Sequence, residues 1–498
     1  MLINFILVGI GGILLIIFLY DISQTKHAIL RNFPVVGHLR YILETIGPEL
    51  RQYWVANDKE EMPFSRSERS WVYATSKQQN NNFGFGTSEL MYETGYPILK
   101  HSAFPARDKY DSNGNLLTSA MPCAKLIGES HNRKKPYRPQ SIVNISAMSF
   151  GSLGKRAITA LNLGAKEANC YHNTGEGGIS PYHQQGGDLV WQIGTGYFGA
   201  RNKTGEFSKE VFKKAIETNP NVKMIEIKIS QGAKPGFGAI LPAKKNTKEI
   251  AKFRDVEQGT EIHSPAFHSA FDNDVEMLRF IRKLRKLSKG KPVGIKLCIG
   301  QQDEFERMVQ TFAEKQNCPD FIAIDGAEGG SGAAHMESLH WAGMPIIEAI
   351  HFANGILKKY GLRDEIKVMA AGKIISAFDI YRMMALGADA CYSARGMMFA
   401  LGCVQSLKCN LDTCPTGITT MVPSRVASIV VKDKKTKVAN YHKNTIEGFK
   451  ELLKSMGIEN RKGIDKKYIV RRINENETKT YQELYSNGLN GRKIKSNG

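Results

Sequence analysis

The sequence predicts an α/β protein built on a closed (β/α)8 TIM barrel, with an N-terminal extension and a transmembrane helix ahead of it. Two observations carry the barrel. From Ser141 onward, short continuous apolar runs alternate with amphipathic stretches of helical length, the pattern of a parallel sheet covered by helices. Eight such units can be read, and the glycine and polar clusters follow the apolar runs, where a barrel keeps its chemistry. An open doubly wound sheet is the alternative, but no Gly-x-Gly-x-x-Gly follows the first run.

In order, "SIVNISAM" reads as a strand and "SLGKRAITALNLGAKEA" as its helix, and a short strand lies near "CYHNT". "LVWQIGTGYFG" precedes the helix "SKEVFKKAIE", and "MIEIKIS" precedes, after a long insertion, "DVEMLRFIRKLRKL". Then come "PVGIKLCIG" with "EFERMVQTFAEK", "FIAID" with "PIIEAIHFANGILKKY", "IKVMAA" with "SAFDIYRMMAL", and "ADACYSA" with "RGMMFAL". The domain reading is residues 2–20 as a transmembrane helix, 21–140 as an N-terminal extension, 141–420 as the barrel and 421–498 as a basic C-terminal extension. From Lys432 onward Lys and Arg are dense, which reads as a solvated extension or a partner surface.

The run Leu2 to Tyr20 is uncharged and long enough to cross a bilayer, which takes about 20 residues. A signal peptide would want a basic start and a small-residue cleavage site, and a buried core helix is the plainer alternative. Lys26, Arg31 and Arg40 follow the run and place the rest of the chain in the cytoplasm, at the cell membrane. Disulfides are not expected there. The net charge of +20 fits either an anionic partner or simply solvated faces, and no nucleic-acid motif supports a nucleic-acid partner.

After the last two strands, Gly372, Lys373, Arg395 and Gly396 fall at the usual phosphate place of such barrels, where backbone N–H groups and a helix start meet an anion. A flavin mononucleotide (FMN) fits that place; tight βα turns are the plainer reading. Lys296 stands in an apolar strand, which is costly unless it faces a polar site or a partner. Gln231 and Lys234, with Lys244 and Lys245, cluster after the fourth strand. Glu176, between glycines, reads as an acid, a base or a structural acceptor.

Cys403, Cys409 and Cys414 form C-x5-C-x4-C just past the last barrel helix. Zinc would want a fourth Cys or His nearby, whereas three thiolates suit an iron–sulfur cluster with three cysteine ligands. Three free cysteines are the plainer alternative. The helix from Arg395 rises about 12 Å to Cys403, so a cluster would lie near a phosphate-bound flavin.

"AMSFGSLG", "NTGEGG", "KISQGAKPGFG", "DGAEGGSGAA" and "GCVQSLKCNLDTCPTG" together resemble the FMN-binding synthase domain of glutamate synthases, in particular its stand-alone bacterial members. The resemblance implies FMN, a three-iron (3Fe-4S) cluster and reductive amination of 2-oxoglutarate or a related 2-oxo acid. It implies that Cys403, Cys409 and Cys414 hold the cluster. Ala147, Met148, Ser149, Gln231, Lys296, Gly330, Gly372 and Lys373 would surround FMN, while Glu176, Lys234 and Arg254 would face the substrate. Where the family reads Gly-Gly-Gln before Leu-Pro, this chain has Gly238-Ala239-Ile240, replacing a polar substrate contact by an apolar one. No glutaminase or NAD(P)H-binding domain is visible, so ammonia would come free or from a partner. Electrons would come from ferredoxin, flavodoxin or a separate reductase. Two other readings stand beside the enzyme: a membrane-associated FMN and iron–sulfur electron-transfer protein without glutamate synthesis, and an FMN-binding scaffold.

Overall fold

The computed structural model describes residues 1–79, 84–107, 125–459 and 461–486. The chain divides into two compact units, Met1–Ser70 and Trp71–Gly498. Parts of both expected extensions, at 80–83, 108–124, 460 and 487–498, lie outside the described residues.

The first unit is helical. Leu2–Ser23 is one 22-residue helix, long and apolar enough to cross a membrane, and none of its most apolar stretch is buried. Asp21, in its last turn, accepts from the Val35 backbone N–H at 2.8 Å and pairs with His38 Nε2 at 2.9 Å. That pair fixes the start of the next long helix, Gly37–Leu50.

The second unit contains the barrel. Its strands are β1 Val143–Ile145, β2 His172–Asn173, β3 Leu189–Ile193, β4 Val222–Lys228, β5 Val293–Leu297, β6 Phe321–Asp325, β7 Lys367–Ala371 and β8 Ala390–Ser393. Each pairs in parallel with the next, and β8 closes on β1 through Cys391↔Val143 and Ser393↔Ile145. The helices are α1 Lys155–Ala168, α2 Lys209–Thr218, α3 Asp274–Leu287, α4 Gln302–Glu314, α5 Ile346–Lys359, α6 Ala377–Leu386, α7 Arg395–Leu401 and α8 Val431–Ser455.

Alternation along each strand sorts the barrel interior into layers. The lower layers are apolar: Val190, Met224, Phe321, Ala323, Met369 and Ala390 share one core cluster. One step up β4, Glu226 accepts from Asn173 Nδ2 at 2.8 Å, Gln192 Nε2 at 2.6 Å and Tyr392 Oη at 3.0 Å, so a fully buried carboxylate is satisfied by β2, β3 and β8. One further step up brings the ionic layer of Lys228. On β3, β4, β5 and β6 the polar side chains Gln192, Glu226, Lys228, Lys296 and Asp325 all lie toward the C-terminal end.

Three features differ from the sequence reading. Between β2 and β3 there is no helix of ordinary length, only the 3-10 turn Pro181–His183. Residues 125–137, expected as part of an unspecified N-terminal layer, pack into the barrel core: Ile127 and Tyr137 bridge each other, and Ile127 is fully buried in the core cluster. The start of the stretch from Lys432, expected as a solvated extension or a partner surface, forms α8 and covers α1, α6 and α7. Val438, Tyr441, Thr445, Phe449 and Leu453 recur at helical spacing and are buried, while Lys432 and Lys443 are exposed. Gly164 on α1 admits Val438, since a Cβ there would lie 2.7 Å from its Cγ1. His442 reaches Ser141 Oγ at 2.9 Å and the Val143 carbonyl at 3.0 Å, tying α8 to β1, and burial pushes its pKa down to about 4.

Candidate active site

The C-terminal ends of β4 and β5 place two lysines side by side, Lys228↔Lys296. Two buried ammonium groups in register repel each other unless each has a counter-charge. Each has one: Lys228 Nζ meets Glu176 Oε1 at 2.6 Å, and Lys296 Nζ lies 3.5 Å from Asp325 Oδ1 on β6. Asp325 also accepts from the Gly232 N–H at 2.8 Å, which holds the loop after β4 against β6. Lys228 donates further to Gln231 Oε1 at 2.5 Å, and Gln231 Nε2 reaches the Gly330 carbonyl at 3.2 Å.

Around Glu176 the chain gathers Lys228, Lys234 and Arg254, although Arg254 sits in a helix of the insertion after β4, Lys248–Arg254. Burial pushes the Glu176 carboxyl upward, but Lys228, Lys234 and Arg254 outweigh it and hold its pKa at about 2. Glu176 is therefore held in its charged form, placed to accept from Lys228 at 2.6 Å. Burial lowers Lys234 to about 8, with Lys228 and Arg254 adding to the effect against Glu176. Arg254 donates to the Phe150 carbonyl at 2.9 Å and lies 5.0 Å over the Phe198 ring. Among the described residues its buried Nε has no hydrogen-bond partner, and the Lys234 ammonium lies within electrostatic reach of Glu176, Lys228 and Arg254.

The residues expected around FMN line the same end of the barrel. Ala147, Met148 and Ser149 follow β1; the Met148 carbonyl faces His183 Nε2 at 3.1 Å, and Ser149 Oγ donates to Ser152 Oγ at 3.0 Å. The Arg395 guanidinium lies so close to Gly330 that a Cβ there would be 2.1 Å from Nη2. Gly372 takes φ +154° and Lys373 the left-handed φ of +45°, so the turn after β7 is built from conformations that glycine favours. Two cations and a glycine-lined turn at the ends of β7 and β8 suit a phosphate monoester. Gly396 has a second reason to be glycine: a Cβ there would lie 2.2 Å from Tyr441 Oη on α8. Glu328, which the sequence did not single out, accepts from the Ile346 N–H at 3.0 Å at the start of α5, within electrostatic reach of Lys373. Burial raises its pKa.

The three cysteines lie in one loop after α7. Gln405, Leu407 and Asp412 all take left-handed φ near +60°, an accumulation of backbone strain that marks a shaped loop. Burial pushes the Cys403 thiol up to about 11, with Cys409 and Cys414 within electrostatic reach. Lys245, which the sequence places in the cluster after the fourth strand, is 2% exposed, donates to the Ser152 carbonyl at 2.6 Å and lies 3.4 Å from the Cys409 carbonyl. It links the insertion after β4 to the cysteine loop.

At the other pole of the barrel, His131 lies between Asp320 (3.2 Å from Nδ1) and Glu365 (3.1 Å from Nε2), with Cys318 Sγ 3.2 Å from Nε2. Arg133 and Arg285 also hold Asp320, at 2.8 and 2.9 Å. A ring engaged by carboxylates at both nitrogens has little to offer a cation, and the group serves to tie residues 125–137 to the bottom of β6 and β7.

This is a parallel β/α barrel with an ionised, cation-rich site at its catalytic end. Residues 109–459 match the family described as a conserved region in glutamate synthase. The glutamate synthase large subunit-like protein YerD of Bacillus subtilis is 40% identical over 501 residues, covering 94% of each chain. The archaeal glutamate synthase (NADPH) of Methanocaldococcus jannaschii is 32% identical over 321 residues, covering 64% of this chain but 59% of its own length. The chain belongs to the glutamate synthase-like oxidoreductase family. A crystal structure of a mandelate oxidase variant aligns over 83% of this chain at 12% identity with a TM-score of 0.44, a likeness that carries no argument about chemistry.

Proposed function

We propose that the chain reductively aminates 2-oxoglutarate or a related 2-oxo acid, using FMN, a three-cysteine iron–sulfur cluster and electrons from an external protein donor. The observation that carries this is the charge at the barrel mouth. Lys228, Lys234 and Arg254 are three cations gathered around one carboxylate, Glu176. Three positive groups against one negative leave a surplus of two, which complements a dicarboxylate. The Arg254 Nε is a donor with capacity left for it, and the Lys234 ammonium beside it adds charge.

Lys373 and Arg395, with the turn at Gly372, would hold the FMN phosphate; Gln231, Lys296 and Ala147 to Ser149 would line the rest of the flavin. FMN, when bound, supplies the two-electron reduction of a C=N bond. The chain's own contributions are then positional and protonic. Arg254 and Lys234 fix the carboxylates, Glu176 holds Lys228 in place, and Lys234, with its pKa near neutrality, is suited to pass a proton to the substrate nitrogen. In balance, a 2-oxo acid and ammonia lose water to give an imine, and two electrons with protons convert the imine to the amino acid. Cys403, Cys409 and Cys414 would hold the cluster that relays electrons from the donor. Leu2–Ser23 would anchor the chain at the cell membrane with the barrel in the cytoplasm.

The test is anaerobic turnover of the purified full-length chain with 2-oxoglutarate, ammonium and a chemical reductant. Formation of glutamate or a related amino acid supports the proposal. Reduction of a protein acceptor with no amino acid formed favours the electron-transfer reading.

A further inference from the structure

Helix Gly37–Leu50 carries an apolar row that, within its own unit, stays exposed among the described residues. Leu39, Ile42, Leu43, Ile46 and Leu50 recur at i, i+3, i+4, i+7 and i+11, which puts them on one narrow face. They are 57, 55, 51, 44 and 41% exposed. One flank of the row is polar, with Arg40 paired to Glu44 at 2.9 Å, and Thr45 lies on the other flank. Tyr53 and Trp54 extend the row just past the helix, and Trp54 is 87% exposed. A contiguous exposed apolar row of this size marks an interaction surface.

We propose that this helix lies along the bilayer surface, with its apolar row in the acyl boundary and Tyr53 and Trp54 at the headgroups. The inference rests on the membrane reading of Leu2–Ser23. The geometry that supports it is continuity. Asp21, in the last turn of that apolar helix, bonds to Val35 and His38, so the row begins where the span ends. If the span is inserted, the row begins at the interface and is held there. The chemistry agrees: polar flanks, an apolar face and terminal aromatics are what an interfacial helix needs. Lys26, Arg31, Arg40 and Arg51 outnumber Glu44 and Glu49 in this segment, which favours an anionic headgroup layer.

The test uses the full-length chain reconstituted into vesicles of phosphatidylcholine and phosphatidylglycerol, with and without brominated acyl chains. Flotation reports the anchor, and quenching of Trp54 emission, taken as the difference from Trp54→Phe, reports the helix. The expected result is flotation with strong quenching of Trp54, and loss of most of that quenching in Ile42→Glu/Ile46→Glu while flotation persists. Flotation without quenching of Trp54 overturns the interfacial helix and leaves the anchor standing. Failure to float overturns both. Cross-linking of two chains through this face in place of quenching would identify a second copy as the occupant and also overturn the proposal.

Discussion

Replacing Lys234 by methionine is expected to stabilise the protein while disabling its site. Lys234 is 6% exposed, and burial lowers its pKa from 10.5 to about 8. At 1.36 kcal/mol per pH unit, that gap corresponds to a cost of about 3 kcal/mol for keeping the group charged in the fold. The sign follows from proton counts. Between pH 8 and 10.5 the unfolded lysine keeps its proton and the folded one has lost it, so wild-type stability rises with pH across that window. Below pH 8 the full cost is present. Lys234→Met removes the cost but also one of the cations that hold Glu176 ionised; Lys228, bonded to Glu176 at 2.6 Å, remains. A net gain of about 1–3 kcal/mol at pH 7 is expected, against the usual direction for a substitution at a buried position. Urea unfolding followed by far-ultraviolet circular dichroism reads it, and the rise between pH 8 and 10.5 should flatten. Titration of the flavin spectrum with 2-oxoglutarate should show affinity reduced by at least about tenfold, the loss of one charge-assisted hydrogen bond. A variant less stable than wild type at pH 7 would refute the reasoning, because the lysine would then be a structural partner rather than a charge held ready for a ligand.

Other outcomes follow from the same geometry. Glu176 is depressed from 4.5 to about 2, so the stability it contributes is present above pH 4.5 and lost as pH falls toward 2; Glu176→Gln should lose about 3 kcal/mol at pH 7 and show a flatter acid limb in urea unfolding. Gly396→Ala should cost about 1–3 kcal/mol through overpacking against Tyr441, and Tyr441→Phe should restore part of it in the double variant, both read by denaturation. Cys409→Ser should lose iron and acid-labile sulfide, measured on anaerobically purified protein, while keeping FMN, because the expected phosphate residues lie elsewhere. A chain starting at Asp21 should leave the membrane fraction that full-length chain enters on cell fractionation.

The barrel was legible because its strands are buried on both sides and read as unbroken apolar runs. The helices α3 and α7 coincide with the sequence reading residue for residue. What escaped has physical reasons. The missing helix between β2 and β3 is hidden because a two-residue strand and a 3-10 turn leave no periodicity to read. In the wall helix α8 the many lysines raise the polarity of the stretch and obscure the helical spacing of Tyr441, Thr445, Phe449 and Leu453. In the candidate site, the strand-end positions of Lys296, Gln231 and Glu176 could be read, but their partners could not. Asp325 and Lys228 become counter-ion and bridge only once the strands are side by side. Arg254 came from family resemblance, because an insertion helix gives no local sign of where it folds back. Gly396 shows the reverse: the sequence offers an anion as the reason for glycine, and the structure adds Tyr441 from the far end of the unit.

The most direct test of the account is a single turnover without oxygen. The flavin of the full-length protein is reduced chemically, excess reductant is removed, and 2-oxoglutarate is added with or without ammonium while flavin absorbance and amino acid product are followed. The account predicts reoxidation only when both are present, with one glutamate formed per flavin reoxidised and none in Lys234→Met on the same timescale. Reoxidation by 2-oxoglutarate alone, or a flavin that stays reduced with 2-oxoglutarate and related 2-oxo acids in the presence of ammonium, would contradict it.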